Sequence, residues 1–115
     1  MTLDTRIKIL LVEDFKFTRK LEIQALNKLG FLNIVEAEHC DMAIERLDAH
    51  DDVRLIISDW NMPGKDGYDL LKWIRASEKW RDIPFLMASA KAETKDTQSA
   101  EEAGVSGFIT KPFTI

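Results

Sequence analysis

The fold is predicted from one segment, Leu55-Ile56-Ile57-Ser58-Asp59-Trp60-Asn61-Met62-Pro63-Gly64-Lys65-Asp66-Gly67. An apolar run rich in β-branched residues ends there at a carboxylate, and Pro63, Gly64 and Gly67 then oppose an immediate helix. Asp59 is therefore predicted to lie at the carboxyl end of a buried strand. Ligands bind at this edge of open α/β sheets, because strands end there and helices begin. We expect the Asp59 carboxylate to be exposed and to be held in place by a rigid strand.

Taken alone, Asp59 is equally compatible with a residue that only caps a turn, because Asp is common after strands. Charged residues elsewhere in the chain favour a site. The first apolar run is followed by Glu13 and Asp14, and the last runs into Lys111. Three acids and a lysine at the ends of three predicted strands indicate a functional site rather than residues that only cap turns.

The composition is that of an ordinary globular domain. The 115 residues are 45% hydrophobic and 31% charged, which suits one domain with a continuous core. Twenty acidic and sixteen basic residues leave a net charge of −4 without a basic block, so nucleic acid is not expected as a direct partner.

No membrane partner is expected either, because no apolar run approaches spanning length and the first residues lack the pattern of a signal peptide. A cytoplasmic location is predicted, and the lone Cys40 agrees with a reducing compartment. His39 and His50 lack partners at metal-binding spacing, so we expect them to be solvated or to cap helices.

Segments with strand and helix patterns alternate along the chain. Strands are predicted at Ile7–Val12, Ile34–Ala37, Val53–Ser58, Phe85–Ala88 and Gly107–Thr110, with Ser89 last in its strand or just beyond it. Helices are predicted between them, ending at Gly30, beginning near Asp41, containing Leu70–Ile74 and covering Thr94–Ala103 before Gly104. The helix from Thr94 is polar and is expected to be held loosely.

The first helix carries an apolar stripe at helical spacing, which we expect to pack against the sheet. Its members are Phe17, Leu21, Ala25, Leu26 and Leu29.

The alternation predicts an α/β fold, a doubly wound five-stranded parallel sheet with right-handed crossovers and helices on both faces. A fifth helix should follow Phe113 and needs about a dozen residues, but the chain stops at Ile115. We therefore expect residues 1–115 to be one domain, truncated at the C-terminus, with its last helix missing from the chain. If that helix is absent, the uncovered sheet face predicts dimerisation or helix exchange.

A doubly wound sheet places the ends of its first and third strands side by side, so Glu13, Asp14 and Asp59 should converge. Three neighbouring carboxylates disfavour full ionisation unless a cation lies among them. Mg²⁺ suits such a site, since it accepts one or two carboxylates and keeps waters for phosphate oxygens. Lys111 would offer those oxygens a second positive charge, and Asp59 is the best placed nucleophile for a phosphoryl group.

Ser89 ends the fourth strand, where its hydroxyl can donate to a phosphoryl oxygen. A turn serine bonded to nearby backbone is by itself the commoner role. Only its position beside the acids favours the functional interpretation.

In these residues the chain resembles response-regulator receiver domains, which include the stand-alone regulators of chemotaxis. The resemblance covers essentially the whole chain and is strongest at Ser58–Pro63 with Asp66-Gly67, and at Gly107–Phe113. It implies a sheet of strand order 2-1-3-4-5. It also implies a phosphorylation-dependent switch of a two-component system, a phosphoacceptor that catalyses only its own phosphotransfer and autodephosphorylation.

The resemblance implies that Asp59 accepts a phosphoryl group from a sensor histidine kinase or a histidine phosphotransfer protein. Mg²⁺, with Mn²⁺ as an alternative, would be held by Asp14, Asp59 and the backbone carbonyl of Asn61, while Glu13 would act through water.

The resemblance also implies that Lys111 holds the phosphoryl oxygens and that Ser89 moves toward them. Phe108 would be the aromatic switch, and the Lys111–Pro112 peptide would be cis. A downstream target or the protein's own output domain would read the change.

Several positions depart from the chemotaxis pattern. Glu13 stands for an aspartate, Ser89 for a threonine and Phe108 for a tyrosine, all of which the wider family tolerates. Lys91 stands for an acidic residue and changes the expected lifetime of the phosphorylated state.

Two other functions make different predictions. A phosphohydrolase with an aspartyl nucleophile would carry Asp-x-Asp after the first strand, but Asp14 is followed by Phe15 and Lys16. A pure interaction module with relic acids would be indifferent to an Asp59→Asn substitution.

Overall fold

The core of the protein is a five-stranded parallel sheet of order β2-β1-β3-β4-β5. The computed structural model describes residues 4–62, 64–89 and 94–111. The predicted doubly wound α/β fold and its strand order are confirmed. The strands are β1 (Lys8–Val12), β2 (Ile34–Ala37), β3 (Val53–Asp59), β4 (Phe85–Ser89) and β5 (Gly107–Thr110).

Four helices join these strands in the described part of the chain: α1 (Lys16–Lys28), α2 (Cys40–Ala49), α3 (Gly67–Ala76) and α4 (Thr94–Glu102). The His39 ring accepts from the amide of Met42 at 3.1 Å and caps α2, as one of its two predicted roles required. Gly30 ends α1 with a φ of +100°, which only glycine adopts cheaply.

The core lies on both faces of the sheet. On one face, α2, α3 and α4 bury Leu47, Leu71 and Ala100 against strand residues such as Leu10 and Phe85. On the other face, α1 covers a smaller cluster of Ile9, Leu11 and Ile57 with Leu26, and further side chains there are only partly buried, among them Leu55, Leu86 and Ile109. The fifth helix expected after Phe113 lies outside the described residues.

The predicted apolar stripe of α1 was wrong at three of its five positions. Phe17 and Leu21 are 67% and 42% exposed, and Leu29 is exposed as well. The charged side chains of Arg19 and Glu22 face inward instead, beside Leu26. A count of apolar residues cannot detect this orientation, because two inward positions of the helix are polar.

In the described ranges, no helix combines the length and the apolarity that crossing a bilayer requires.

Candidate functional site

The end of β1 carries the acid pair. Glu13 is buried; its Oε2 accepts from the amide of Phe15 at 3.1 Å, and its backbone amide donates to the Ala37 carbonyl at 3.0 Å. Asp14 is exposed at the surface of the same loop. The two acids therefore differ in exposure: Glu13 is buried and hydrogen-bonded, whereas Asp14 faces solvent.

The end of β3 carries Asp59. It is 7% exposed, so the expectation of an exposed carboxylate was wrong. Lys111 Nζ lies 3.0 Å from the carboxylate, and the backbone of Asp59 is closely packed as well. A Cβ at Gly67 would lie far inside van der Waals contact of the Asp59 carbonyl and 2.9 Å from Met87 Sδ.

Gly67 was predicted only as a residue that opposes a helix, but it is the first residue of α3. The helix is capped by Asp66, which accepts from the amide of Asp69 at 2.9 Å while the Asp69 side chain accepts from the amide of Asp66 at 3.0 Å. Gly67 itself donates to the Trp60 carbonyl at 2.8 Å. Its small size is required because the backbone of Asp59 passes directly over it.

Lys111 connects the ends of three strands. It directly follows β5, and its Nζ donates to Glu13 Oε1 at 2.6 Å and to Asp59 Oδ1 at 3.0 Å. Burial alone would lower the pKa of Lys111, but its hydrogen bonds to Glu13 and Asp59 and their charges outweigh burial and raise that pKa. Lys111 is therefore a cation at neutral pH.

Glu13, Asp14 and Asp59 form a cluster that could hold a metal ion, with one ligand atom from each within 4.8 Å of the others. The predicted convergence of these three side chains at one edge of the sheet is confirmed. Burial, followed by a hydrogen bond and charge repulsion from Glu13, raises the pKa of Asp14. Carboxylate oxygens are hard ligands, so the donor set fits Mg²⁺ or Mn²⁺. Asn61 lies two residues beyond Asp59, in the loop between β3 and α3.

The two residues predicted as a switch lie on neighbouring strands. Ser89 is the last residue of β4 and is partly buried; its carbonyl accepts from the amide of Lys111 at 2.8 Å. Phe108 pairs with Met87 across β4 and β5 and is 36% exposed. Lys91 and Pro112, on which two further predictions rest, lie outside the described residues.

Sequence reasoning missed two charged residues of α1, Arg19 and Glu22. Burial raises the pKa of Glu22 to about 7, and the charges of Glu13 and Asp59 add to the rise, while Lys111 and Arg19 oppose it. These two residues share the helical phase of Ile23 and Leu26, at spacings of three and four, but their own residue types do not indicate burial.

An acid cluster beside a lysine, at the carboxyl edge of a doubly wound parallel sheet, defines a domain suited to binding a divalent cation and an anionic oxygen group together. The comparisons with known proteins give the family.

The family model described as the response regulator receiver domain matches residues 9–115, so the chain belongs to the receiver-domain family. Chemotaxis protein CheY-3 of Vibrio cholerae is 43% identical over 112 residues, which are 97% of this chain and 85% of the relative. Receiver domains are regulatory phosphoacceptors, and the chain is assigned to two-component and chemotaxis signalling.

Two solved structures are similar over most of their length. Chemotaxis protein CheY4 of Vibrio cholerae has a TM-score of 0.87 and 26% identity, covering 95% of this chain and 89% of that chain. The CheX-CheY-BeF3-Mg complex of Borrelia burgdorferi matches with a TM-score of 0.83 and 28% identity, covering 93% of this chain and 79% of that chain.

Proposed function

We propose that this chain is a phosphorylation-dependent switch in which Asp59 accepts a phosphoryl group from a phosphohistidine, on a sensor histidine kinase or a histidine phosphotransfer protein. The observation that carries the proposal is the double contact of Lys111 Nζ with Glu13 and Asp59, beside the acid cluster. The arrangement supplies an acceptor carboxylate, a cation for phosphoryl oxygens and further carboxylates for a metal.

Asp14, Asp59 and the backbone carbonyl of Asn61 would hold Mg²⁺, or Mn²⁺ in its place. Glu13 would act through a water molecule, because its two carboxylate oxygens are already hydrogen-bonded to Lys111 and to the amide of Phe15. When bound, the ion supplies charge neutralisation for the phosphoryl oxygens.

In the proposed transfer, one carboxylate oxygen of Asp59 forms a bond to phosphorus as the phosphorus–nitrogen bond breaks and its electron pair returns to the imidazole. Lys111 moves from Asp59 Oδ1 to a phosphoryl oxygen, a short displacement since it already contacts the acceptor. Attack of water on the acyl phosphate then regenerates the carboxylate and releases inorganic phosphate. No turnover of an external substrate is required.

The proposed relay uses Ser89 and Phe108. The Ser89 hydroxyl would move toward a phosphoryl oxygen and donate to it. Phe108 would then turn inward into the space that the hydroxyl leaves. The partial exposure of Phe108 supports this proposal, because a large aromatic side chain has apolar surface to gain by moving inward. A loosely held α4 would move with it.

The proposed partners are the phosphodonor and either a downstream target or an output domain of the same protein. In the Borrelia burgdorferi complex, CheY is bound to CheX. For this chain we propose only that it, too, binds a protein partner. Residues 1–115 are proposed as the receiver domain, acting in the cytoplasm without direct contact to nucleic acid or membrane.

The test uses Trp60, which follows the proposed acceptor and stacks on Tyr68 with ring centroids 6.1 Å apart. We expect its fluorescence to respond to Mg²⁺, and again to beryllofluoride or acetyl phosphate in the presence of Mg²⁺. Asp59→Asn should abolish the second response. Asp66→Asn, at the partly buried cap of α3, is the matched control and should retain it. A wild-type protein that binds neither Mg²⁺ nor beryllofluoride by calorimetry overturns the proposal.

A further inference from the structure

The ladder between β1 and β2 is extended past its last strand residue by a side chain. The amide of Glu13 still donates to the Ala37 carbonyl of β2, at 3.0 Å. The carbonyl of Glu13 instead accepts from Arg19 Nη1, at 2.7 Å. A guanidinium of α1 therefore takes the place that a backbone amide of the neighbouring strand would hold.

The guanidinium is itself held by two acids at the β2 edge. Arg19 Nε donates to Glu36 Oε1 at 2.8 Å, and Nη2 lies 3.5 Å from Glu38 Oε1. The arginine side chain is buried, whereas both glutamates are about half exposed, at 50% and 54%. The planar fork of the guanidinium has several donors, so it bonds a carbonyl on one strand and a carboxylate on the next at the same time.

These contacts constrain the loop that carries the acid pair. The backbone amide of Arg19 donates to the Phe15 carbonyl at 2.9 Å, and the Phe15 amide donates to the Glu13 carboxylate at 3.1 Å. The Arg19 side chain thus holds the Glu13 end of a three-residue loop whose middle residue is Asp14, and the backbone of the first turn of α1 holds its Phe15 end. Since Asp14 is exposed, the backbone on its two sides determines where its carboxylate lies.

We infer that Arg19 is a positioning residue for the cation site: its side chain holds the backbone carbonyl next to Asp14 and so sets the distance between Asp14 and Asp59. The inference rests on the proposed function, since it concerns the proposed ligands of Mg²⁺. Arg19 touches neither the ion nor the phosphoryl group.

Positioning and simple electrostatics make opposite predictions. By Coulomb's law, removing a positive charge close to a cation site should tighten cation binding. If Arg19 positions Asp14, its removal should weaken binding despite the lost repulsion, because the carbonyl of Glu13 loses its donor and the loop loosens.

The experiment measures Mg²⁺ affinity by calorimetry, with Trp60 fluorescence as a second readout, at a temperature where thermal unfolding shows every variant folded. We expect Arg19→Met to weaken Mg²⁺ binding about tenfold. Arg19→Lys keeps the charge but lacks the planar fork of donors that spans the Glu13 carbonyl and the Glu36 carboxylate, so its Mg²⁺ affinity should be intermediate. Lys20→Met removes the same charge from an adjacent exposed position and should leave the affinity near that of the wild type.

A second pair of variants keeps the test decisive if Arg19→Met does not fold. Glu36→Gln removes the 2.8 Å partner of the guanidinium, and Glu38→Gln removes an equal charge that makes only the 3.5 Å contact. We expect weaker Mg²⁺ binding for Glu36→Gln than for Glu38→Gln. Equal affinities for this pair, or Mg²⁺ binding by Arg19→Met as tight as or tighter than that of the wild type, overturn the inference. Absence of Mg²⁺ binding by the wild type overturns the proposed function instead.

Discussion

Lys111 Nζ lies closer to Glu13 Oε1, at 2.6 Å, than to Asp59 Oδ1, at 3.0 Å. Its shorter contact is therefore with Glu13 rather than with the proposed acceptor. If all three carboxylates are ionised, the Lys111 ammonium leaves two negative charges in the cluster, which a divalent cation would neutralise. Lys111 thus has a structural role in the resting protein that is separate from any contact with a phosphoryl group.

The first prediction concerns this structural role. Lys111→Met should reduce the free energy of unfolding by about 2 to 4 kcal/mol in Mg²⁺-free buffer, because it leaves the buried Glu13 carboxylate without a counter-charge. Adding Glu13→Gln to the same chain should restore part of that loss, since the unpaired charge is then removed. Urea unfolding of the two single variants and the double variant measures the coupling. Strictly additive losses would show that the two residues do not stabilise one another.

The second prediction concerns the glycine under the acceptor. Gly67→Ala should destabilise the protein by about 2 to 4 kcal/mol and displace Asp59, because the new Cβ meets the Asp59 carbonyl, a backbone atom that cannot rotate away. Gly64→Ala is the control: a Cβ there meets nothing within 4 Å, but its φ of +74° should cost about 1 kcal/mol. Thermal unfolding compares the two, and an equal loss would refute the packing argument.

Much of the fold could be predicted because the strand pattern is local. The bounds of β2 and β5, Ile34–Ala37 and Gly107–Thr110, match the predicted ones, since short apolar runs end there at clear turn or charge signals. The convergence of Asp14 and Asp59 followed from topology alone, because neighbouring parallel strands end at one edge of the sheet. The roles assigned to these residues stay predictions.

The remainder depended on tertiary contacts that have no local pattern. The inward face of α1 was misassigned because Arg19 is buried only by virtue of its partners in β1 and β2. The need for Gly67 comes from the passage of the Asp59 backbone, which is eight residues away in sequence but in contact in space. Lys111 was predicted to lie with the acids, but its contact with Glu13 was not, since only the folded geometry selects the partner.

The third prediction concerns Arg75, which ties the end of α3 to the segments on both sides of β4. It donates to the carbonyls of Ile83 at 2.6 Å and of Gly104 at 2.8 Å. Arg75→Met should lower the free energy of unfolding by about 2 kcal/mol, since carbonyls lose their donors. Lys72→Met, which removes an exposed partner of Asp69 at 3.7 Å, should change it by less than about 0.5 kcal/mol. Hydrogen exchange should quicken around Gly104 in the Arg75 variant alone.

The fourth prediction concerns Glu22, a carboxyl group that is only 3% exposed. Its pKa is raised from 4.5 to about 7, first by burial and then by the charges of Glu13 and Asp59, against the opposing charges of Lys111 and Arg19. Because the folded protein holds this proton more tightly than the unfolded chain does, the stabilising contribution is complete below pH 4.5 and is lost as the pH rises toward 7.

Glu22→Gln removes this titration, so the variant should be more stable than the wild type at pH 8, by about 1 to 3 kcal/mol, and the two should converge near pH 4.5. Urea unfolding in Mg²⁺-free buffer from pH 4.5 to 8 measures the difference, in which the other titrating groups largely cancel. Glu45→Gln, at an exposed position of α2, is the control and should show no such dependence. A constant difference between Glu22→Gln and the wild type over this range would mean that Glu22 ionises at the same pH in the folded and the unfolded chain, and that its burial does not hold the proton.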